Sequence, residues 1–276
     1  MKTSVKRYLF GALAVALVVG GLRAWHPAGA EEAGFLDQAA GRVAQLLARD
    51  GGGPAAVAHK ADVSDSPYFK SVDVYHLRSH GSLTVLPQYP AKQQETEYTC
   101  GPAAAWTVVQ YYLGTAPDDE RTMAKIMGTH PAGMQDPGTN TRGMSRYFEQ
   151  KGWTVHNALK DGSPKDYPAF KAFVLKNLRA GTPILVENVD WGGHWRVIIG
   201  FDTMGDDQDA NDVLILADPY DTTDHRQDGY GIVPAQRFYY MWFDAQLFRK
   251  GEQRRQWVTA VPPDYQAEKK GKPLGK

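Results

Sequence analysis

Hydrophobic periodicity changes near Arg179 in this chain of 276 residues, and that change limits the architectures open to it. From Cys100 to Arg179 apolar residues recur at three- and four-residue steps. Behind Pro102, the positions Ala105, Val108, Val109 and Tyr112 form a helical stripe that Gly114 stops. Asp118 to Met127 opens with acidic residues suited to the positive end of a helix, Thr141 to Gln150 ends at Gly152, and Tyr167 to Arg179 ends at Gly181. From Pro183 onward the runs are those of strands, at Pro183 to Val189, His194 to Asp202, Val213 to Ala217, Gly231 to Ala235 and Gln256 to Ala260. Helices first and a sheet second predict a segregated α+β domain with antiparallel strands, rather than alternating βαβ units. Residues 71 to 87 read as a further hairpin around His80-Gly81-Ser82, with Val72, Val74 and His76 on one arm and Leu83, Val85 and Pro87 on the other.

The amino terminus carries an address. Lys2, Lys6 and Arg7 precede an apolar run from Tyr8 to Leu22, and Ala28-Gly29-Ala30 follows as a small-residue cleavage pattern, so residues 1–30 read as a signal peptide. The run is shorter than the roughly 20 residues a membrane span needs, which favours cleavage over retention as an anchor. The expected location is secreted or periplasmic, with no stable membrane span after cleavage. Removing residues 1–30 takes away four basic residues and no acidic ones, so 31 Lys and Arg become 27 against 31 Asp and Glu. A mildly acidic chain without a clustered basic face gives no reason to expect nucleic acid as a partner. A helical face from Phe35 to Arg49, broken by Gly51-Gly52-Gly53-Pro54, makes residues 31–66 an N-terminal extension and linker, and the basic stretch 263–276 a flexible tail.

Cys100 is the only cysteine. In an oxidising compartment it has no partner in its own chain, so a packed core must supply the stability, and 42% hydrophobic residues suffice for one. A lone cysteine is commonly a small buried hydrophobe. This one sits in Gln94-Glu95-Thr96-Glu97-Tyr98-Thr99-Cys100-Gly101-Pro102, directly before the first helical stripe, where a helix start favours the thiolate. Such a nucleophile needs a base, a group to orient the base, and donors for an oxyanion. His194 opens a strand after Gly192-Gly193 and is expected at the edge of the sheet. Asp218 closes the next strand, so an antiparallel pair joined by the acidic loop 205–212 would bring the two together. Gln94 can donate its side-chain amide to the oxyanion beside the Cys100 N–H. Trp191 and Trp195 flank His194, either to shield the imidazole or to fill core space, and His225 is the rival base. His76 and His80 do not converge on strands, and the Asp-rich loop lacks the glycine and closing glutamate of a calcium loop, so no metal and no cofactor are expected.

Gln94 through Ala105, then Gly193-His194-Trp195-Arg196-Val197-Ile198-Ile199-Gly200-Phe201-Asp202, then Asp218-Pro219, resemble the C39-like cysteine peptidases of the papain-like superfamily. The resemblance implies a papain-like peptidase domain, placed here at residues 67–262, acting on a peptide or protein substrate. It also implies that Gln94 is the oxyanion donor, Cys100 the nucleophile, His194 the base and Asp218 its orienting group. Thr99 departs from the Asp or Asn often found before the cysteine, and no ATP-transporter segment follows the domain. The expected activity is hydrolysis of peptide or isopeptide bonds through a thioester on Cys100. Acyl transfer of the transglutaminase or phytochelatin-synthase-like type, and a non-catalytic binding module, are the alternatives.

Overall fold

The computed structural model describes residues 72–134, 136–221, 226–245, 248–263 and 265. The leader 1–30, the extension 31–66, His225 and most of the tail 263–276 lie outside the described residues.

After a 3-10 turn at Val74–His76 and a short strand β1 (Leu83–Val85), three helices follow: α1 (Cys100–Leu113), α2 (Glu120–Met127) and α3 (Thr141–Gln150). Then come β2 (Thr154–Asn157), a single turn α4 (Ala158–Asp161), α5 (Tyr167–Arg179), β3 (Ile184–Asn188), β4 (His194–Asp202), β5 (Val213–Ala217), β6 (Tyr230–Pro234), α6 (Ala235–Met241) and β7 (Trp257–Val261). The α+β class read from the sequence is the class observed. Every strand pairing is antiparallel, in the order β2-β7-β3-β4-β5-β6, with β1 added to β4.

Local chemistry sets the helix ends. Asp119, Asn140 and Asp166 each accept an N–H of the first turn they precede, and Gly114 ends α1 in the left-handed region at φ 73°. All five residues of β3 and the first eight of β4 are buried, because α1 and α5 both pack on β4. Along one edge of β4, β3 pairs with residues 194–198 and β1 takes over at 200–202. Gly200 lies in that crowded stretch, where a Cβ would fall 3.0 Å from Ile215 Cδ1 and 3.1 Å from Val85 Cγ2. Absence of a side chain lets β1 and β5 close on β4 together.

Three local expectations change. The hairpin of residues 71 to 87 shrinks to its turn, where His80 and Leu83 exchange both backbone hydrogen bonds: its first arm is the 3-10 turn, and β1 finds its strand partner in β4, far along the chain. The four-residue strand β2 and helix α6 were not anticipated. Residue 235 starts that helix instead of ending a strand.

Candidate active site

Cys100 is the first residue of α1. The hydroxyl of Thr99, the cap position, is engaged with Thr96 through that residue's N–H at 3.2 Å and its hydroxyl at 2.9 Å. It makes no cap bond to α1, so the positive end of the helix opens at the cysteine itself. Gly101 permits a close approach here: a Cβ on it would meet Thr139 Oγ1 at 2.5 Å, so the segment entering α3 could not lie against the cysteine turn. Cys100 is buried, with 7% of its surface exposed.

The imidazole and the carboxylate come from neighbouring strands. Register pairs Val197 of β4 with Ala217 of β5, and one residue further Asp218 meets the start of β4. His194 Nε2 and Asp218 Oδ1 are 2.7 Å apart, both groups buried. The same carboxylate oxygen accepts the N–H groups of Tyr220 at 2.9 Å and Asp221 at 3.1 Å, while Oδ2 faces Arg196 Nη1 at 3.5 Å. Burial alone would push the Asp218 pKa up, but the charge and hydrogen bond of His194, then Arg196 and the Asp221 N–H, hold it well below the carboxylate range. Burial alone would push His194 down. Asp218 outweighs that, a hydrogen bond and charge from Cys100 add to it, and the ring is raised to about 9. With Nε2 given to Asp218, Nδ1 is the nitrogen left for the sulfur. The structure thus brings Cys100, His194 and Asp218 together as one connected set.

His194 pairs only with Asn188 of β3, since β5 joins β4 from Val197 onward, but the ring is 3% exposed and not beside open backbone as expected, because Asp218 and Tyr220 of the loop after β5 lie against it. Gln94 is buried beside the same loops. Its backbone N–H donates to Pro219 O at 2.9 Å, next to Asp218, and its amide donates to Thr96 O at 2.6 Å. One amide N–H thus braces the turn that leads to Cys100, and the second is left to give; Oε1 is buried without a partner. Trp195 fills core space, its indole N–H bonded to Thr139 O at 2.7 Å.

Two contributors escaped the sequence reading. Arg196, two residues past His194 and 3% exposed, donates to Asn188 Oδ1 at 3.0 Å and to Asp190 as well as facing Asp218. A buried arginine inside the apolar run His194-Trp195-Arg196-Val197-Ile198-Ile199 was the available signal. Tyr220 sets its ring edge-on to His194 at 6.3 Å and donates its hydroxyl to Glu97 at 2.9 Å, tying the loop after Asp218 to the loop before Cys100. Among the described residues, no group of three or more His, Cys, Asp or Glu side chains is placed to hold a metal ion.

A family profile described as the Peptidase_C39 like family matches residues 86–244, a stretch that contains all four candidate site residues. The chain belongs to the Peptidase_C39 like family. Two solved structures of peptidase domains resemble it distantly. The peptidase domain of Streptococcus ComA, titled a bi-functional ABC transporter involved in a quorum sensing pathway, shares 16% identity at a TM-score of 0.41, covering 63% of this chain and 98% of its own. That of Streptococcus mutans ComA shares 15% at 0.31, covering 63% and 100%. No curated protein matches the sequence. Membership of the Peptidase_C39 like family rests on the profile match, and it supports a peptidase of the cysteine type.

Proposed function

We propose that the protein is an exported cysteine hydrolase that cleaves peptide or isopeptide bonds through a thioester on Cys100. The observation that carries this reading is the linked set of thiol, imidazole and carboxylate at the start of α1. Cys100 Sγ attacks the carbonyl carbon and His194 takes the thiol proton, while Asp218 holds the ring in place and stabilises its charge. The backbone N–H of Cys100, at the positive end of α1, and the second amide N–H of Gln94 receive the oxyanion. His194 then protonates the leaving amine, and a water molecule, deprotonated by the same ring, hydrolyses the thioester and frees the acid. Membership of a peptidase family supports a peptide or protein substrate.

The domain plan that fits this activity is a signal peptide at 1–30, an extension at 31–66, the catalytic domain at 67–262 and a basic tail at 263–276. Export is supported by the leader pattern, and no helix of the described residues is long and apolar enough to cross a membrane. The test compares the wild type with Cys100→Ala and Cys100→Ser on a proteome-derived peptide mixture, read by mass spectrometry with and without an added primary amine. New carboxyl termini produced by wild type alone are expected. Absence of cleavage, or cleavage that survives both substitutions, would overturn the assignment, and products capped by the amine in place of water would convert it to acyl transfer.

A further inference from the structure

Glu120, the first residue of α2, is an acid that its helix does not need. An acidic residue in a first turn stabilises the positive helix end perfectly well from the solvent side. Asp119 already caps α2 by accepting the Thr122 N–H at 2.7 Å, yet Glu120 turns inward and is 1% exposed. A carboxylate taken out of water is costly unless donors meet it. Two do: Glu120 Oε1 accepts the backbone N–H of Glu95 at 2.8 Å, and Oε2 lies 3.1 Å from Lys92 Nζ.

Residues 92 and 95 bracket Gln94, so a single carboxylate grips the chain on both sides of the residue assigned to the oxyanion. Both grips lead back to α1. The Lys92 ammonium lies over the ring of Trp106, a residue of α1, at 5.6 Å from its centroid, and also reaches the exposed Glu95 carboxylate at 3.4 Å. The helix that bears Glu120 packs against α1, with Met123 and Met127 buried. Since α1 starts at Cys100, the clamp sets Gln94 against the element that carries the sulfur. The bond from Gln94 N–H to Pro219 O, at 2.9 Å, ties the same residue to the loop that carries Asp218. An oxyanion donor works by being in place before the charge develops, and an ångström of misplacement costs orders of magnitude in rate.

We propose that Glu120 is a positioning residue for the reaction: its buried carboxylate clamps Lys92 and the Glu95 N–H and so holds Gln94 in register with Cys100. This rests on the reading of Gln94 as oxyanion donor and Cys100 as nucleophile.

Glu120→Gln breaks the clamp while keeping its shape. Both partners are donors, and an amide has one acceptor oxygen, so its NH2 must face either the ammonium or the N–H. On one peptide that the wild type cleaves, Gln94→Ala is expected to lower kcat about 100- to 1000-fold. Glu120→Gln lowers it about tenfold with KM within about twofold, because oxyanion contacts form only in the transition state. The double variant Gln94→Ala/Glu120→Gln turns over within about twofold of Gln94→Ala alone, since a donor that is gone cannot be misplaced. Iodoacetamide alkylation of Cys100, the only thiol, displaces iodide and forms no oxyanion, so its rate across pH stays at the wild-type value in all three variants and also reports an intact fold. Lys92→Met, which leaves the Glu95 bond in place, gives the same pattern at about threefold and stands in for a Glu120→Gln protein that does not fold.

Wild-type kcat in both Glu120→Gln and Lys92→Met, losses that multiply in the double variant, or alkylation slowed as much as cleavage would each overturn the proposal. Gln94→Ala cleaving at the wild-type rate would remove the oxyanion donor, and a wild type that cleaves nothing would remove the nucleophile. Either takes this role with it, and both are seen without any Glu120 variant.

Discussion

The hairpin of β4 and β5 carries a buried aspartate at each end, and the two ends behave differently. At the turn end Asp212 is 1% exposed and accepts from the Tyr167 hydroxyl at 2.8 Å and from Lys171, whose ammonium also reaches Asp209. At the open end Asp218 is equally buried, yet its partners are an imidazole, a buried guanidinium and two backbone N–H groups. Asp212 fastens α5 to the sheet. Asp218 holds a ring that has a thiol on its other side. Burial of a carboxylate therefore does not mark a site. What marks it is a titratable partner that itself faces a nucleophile.

Breaking each end in turn separates the two roles. The largest effect expected is on turnover: Asp218→Asn lowers kcat/KM about a thousandfold by releasing the orientation and charge of His194. Asp212→Asn leaves kcat/KM within about twofold and acts on stability alone. Steady-state kinetics on one peptide identified from the mixture reads both. Next comes stability at the open end. Arg196→Met strands buried Asp218 Oδ2 and costs about 3 to 5 kcal/mol, whereas Lys171→Met, at a partly solvated ammonium, costs about 1 kcal/mol in urea unfolding.

The pH dependence sharpens the contrast. His194 is raised from 6.5 to about 9 in the folded protein, so its contribution is fully present below pH 6.5 and is lost as pH rises to about 9. At 1.36 kcal/mol per unit this amounts to about 3 kcal/mol. Glu187, with its raised pKa, has the same sign, since the native state again binds the extra proton. At the turn end Asp206 is lowered by its hydrogen bonds to Asn211 and Gln208. Its smaller contribution is present above pH 3.8 and is lost as pH falls below it. Urea midpoints between pH 6 and 9.5 should fall in the wild type and fall less steeply in His194→Gln.

Much of this arrangement was legible in the chain. Cys100 announced itself as the lone thiol before Pro102 and a helical stripe, and the strand runs on either side of the acidic loop predicted that His194 and Asp218 would meet. Those signals are local, and antiparallel geometry turns them into contacts. What escaped depends on partners distant in sequence. The run Leu83 to Val85 alternates as a hairpin arm would, but nothing local says that it pairs with Gly200 to Asp202. The strand Thr154–Asn157 is four residues long and half-exposed, too brief for a period to register. Arg196 reads as an ordinary charge in a strand, because its meaning comes from Asp218, which lies tens of residues away. His194 was expected beside open backbone because it opens a strand after Gly192-Gly193, and nothing local says that Asp218 and Tyr220 of a later loop cover its ring.

The coupling of ring to sulfur is the centre of the account, and proton NMR of the His194 imidazole across pH measures it without a substrate. A midpoint near 9 in the wild type, falling when Cys100→Ala removes the thiol and falling further in Asp218→Asn, is the predicted result. A ring that titrates near 6.5 and ignores both substitutions would contradict it.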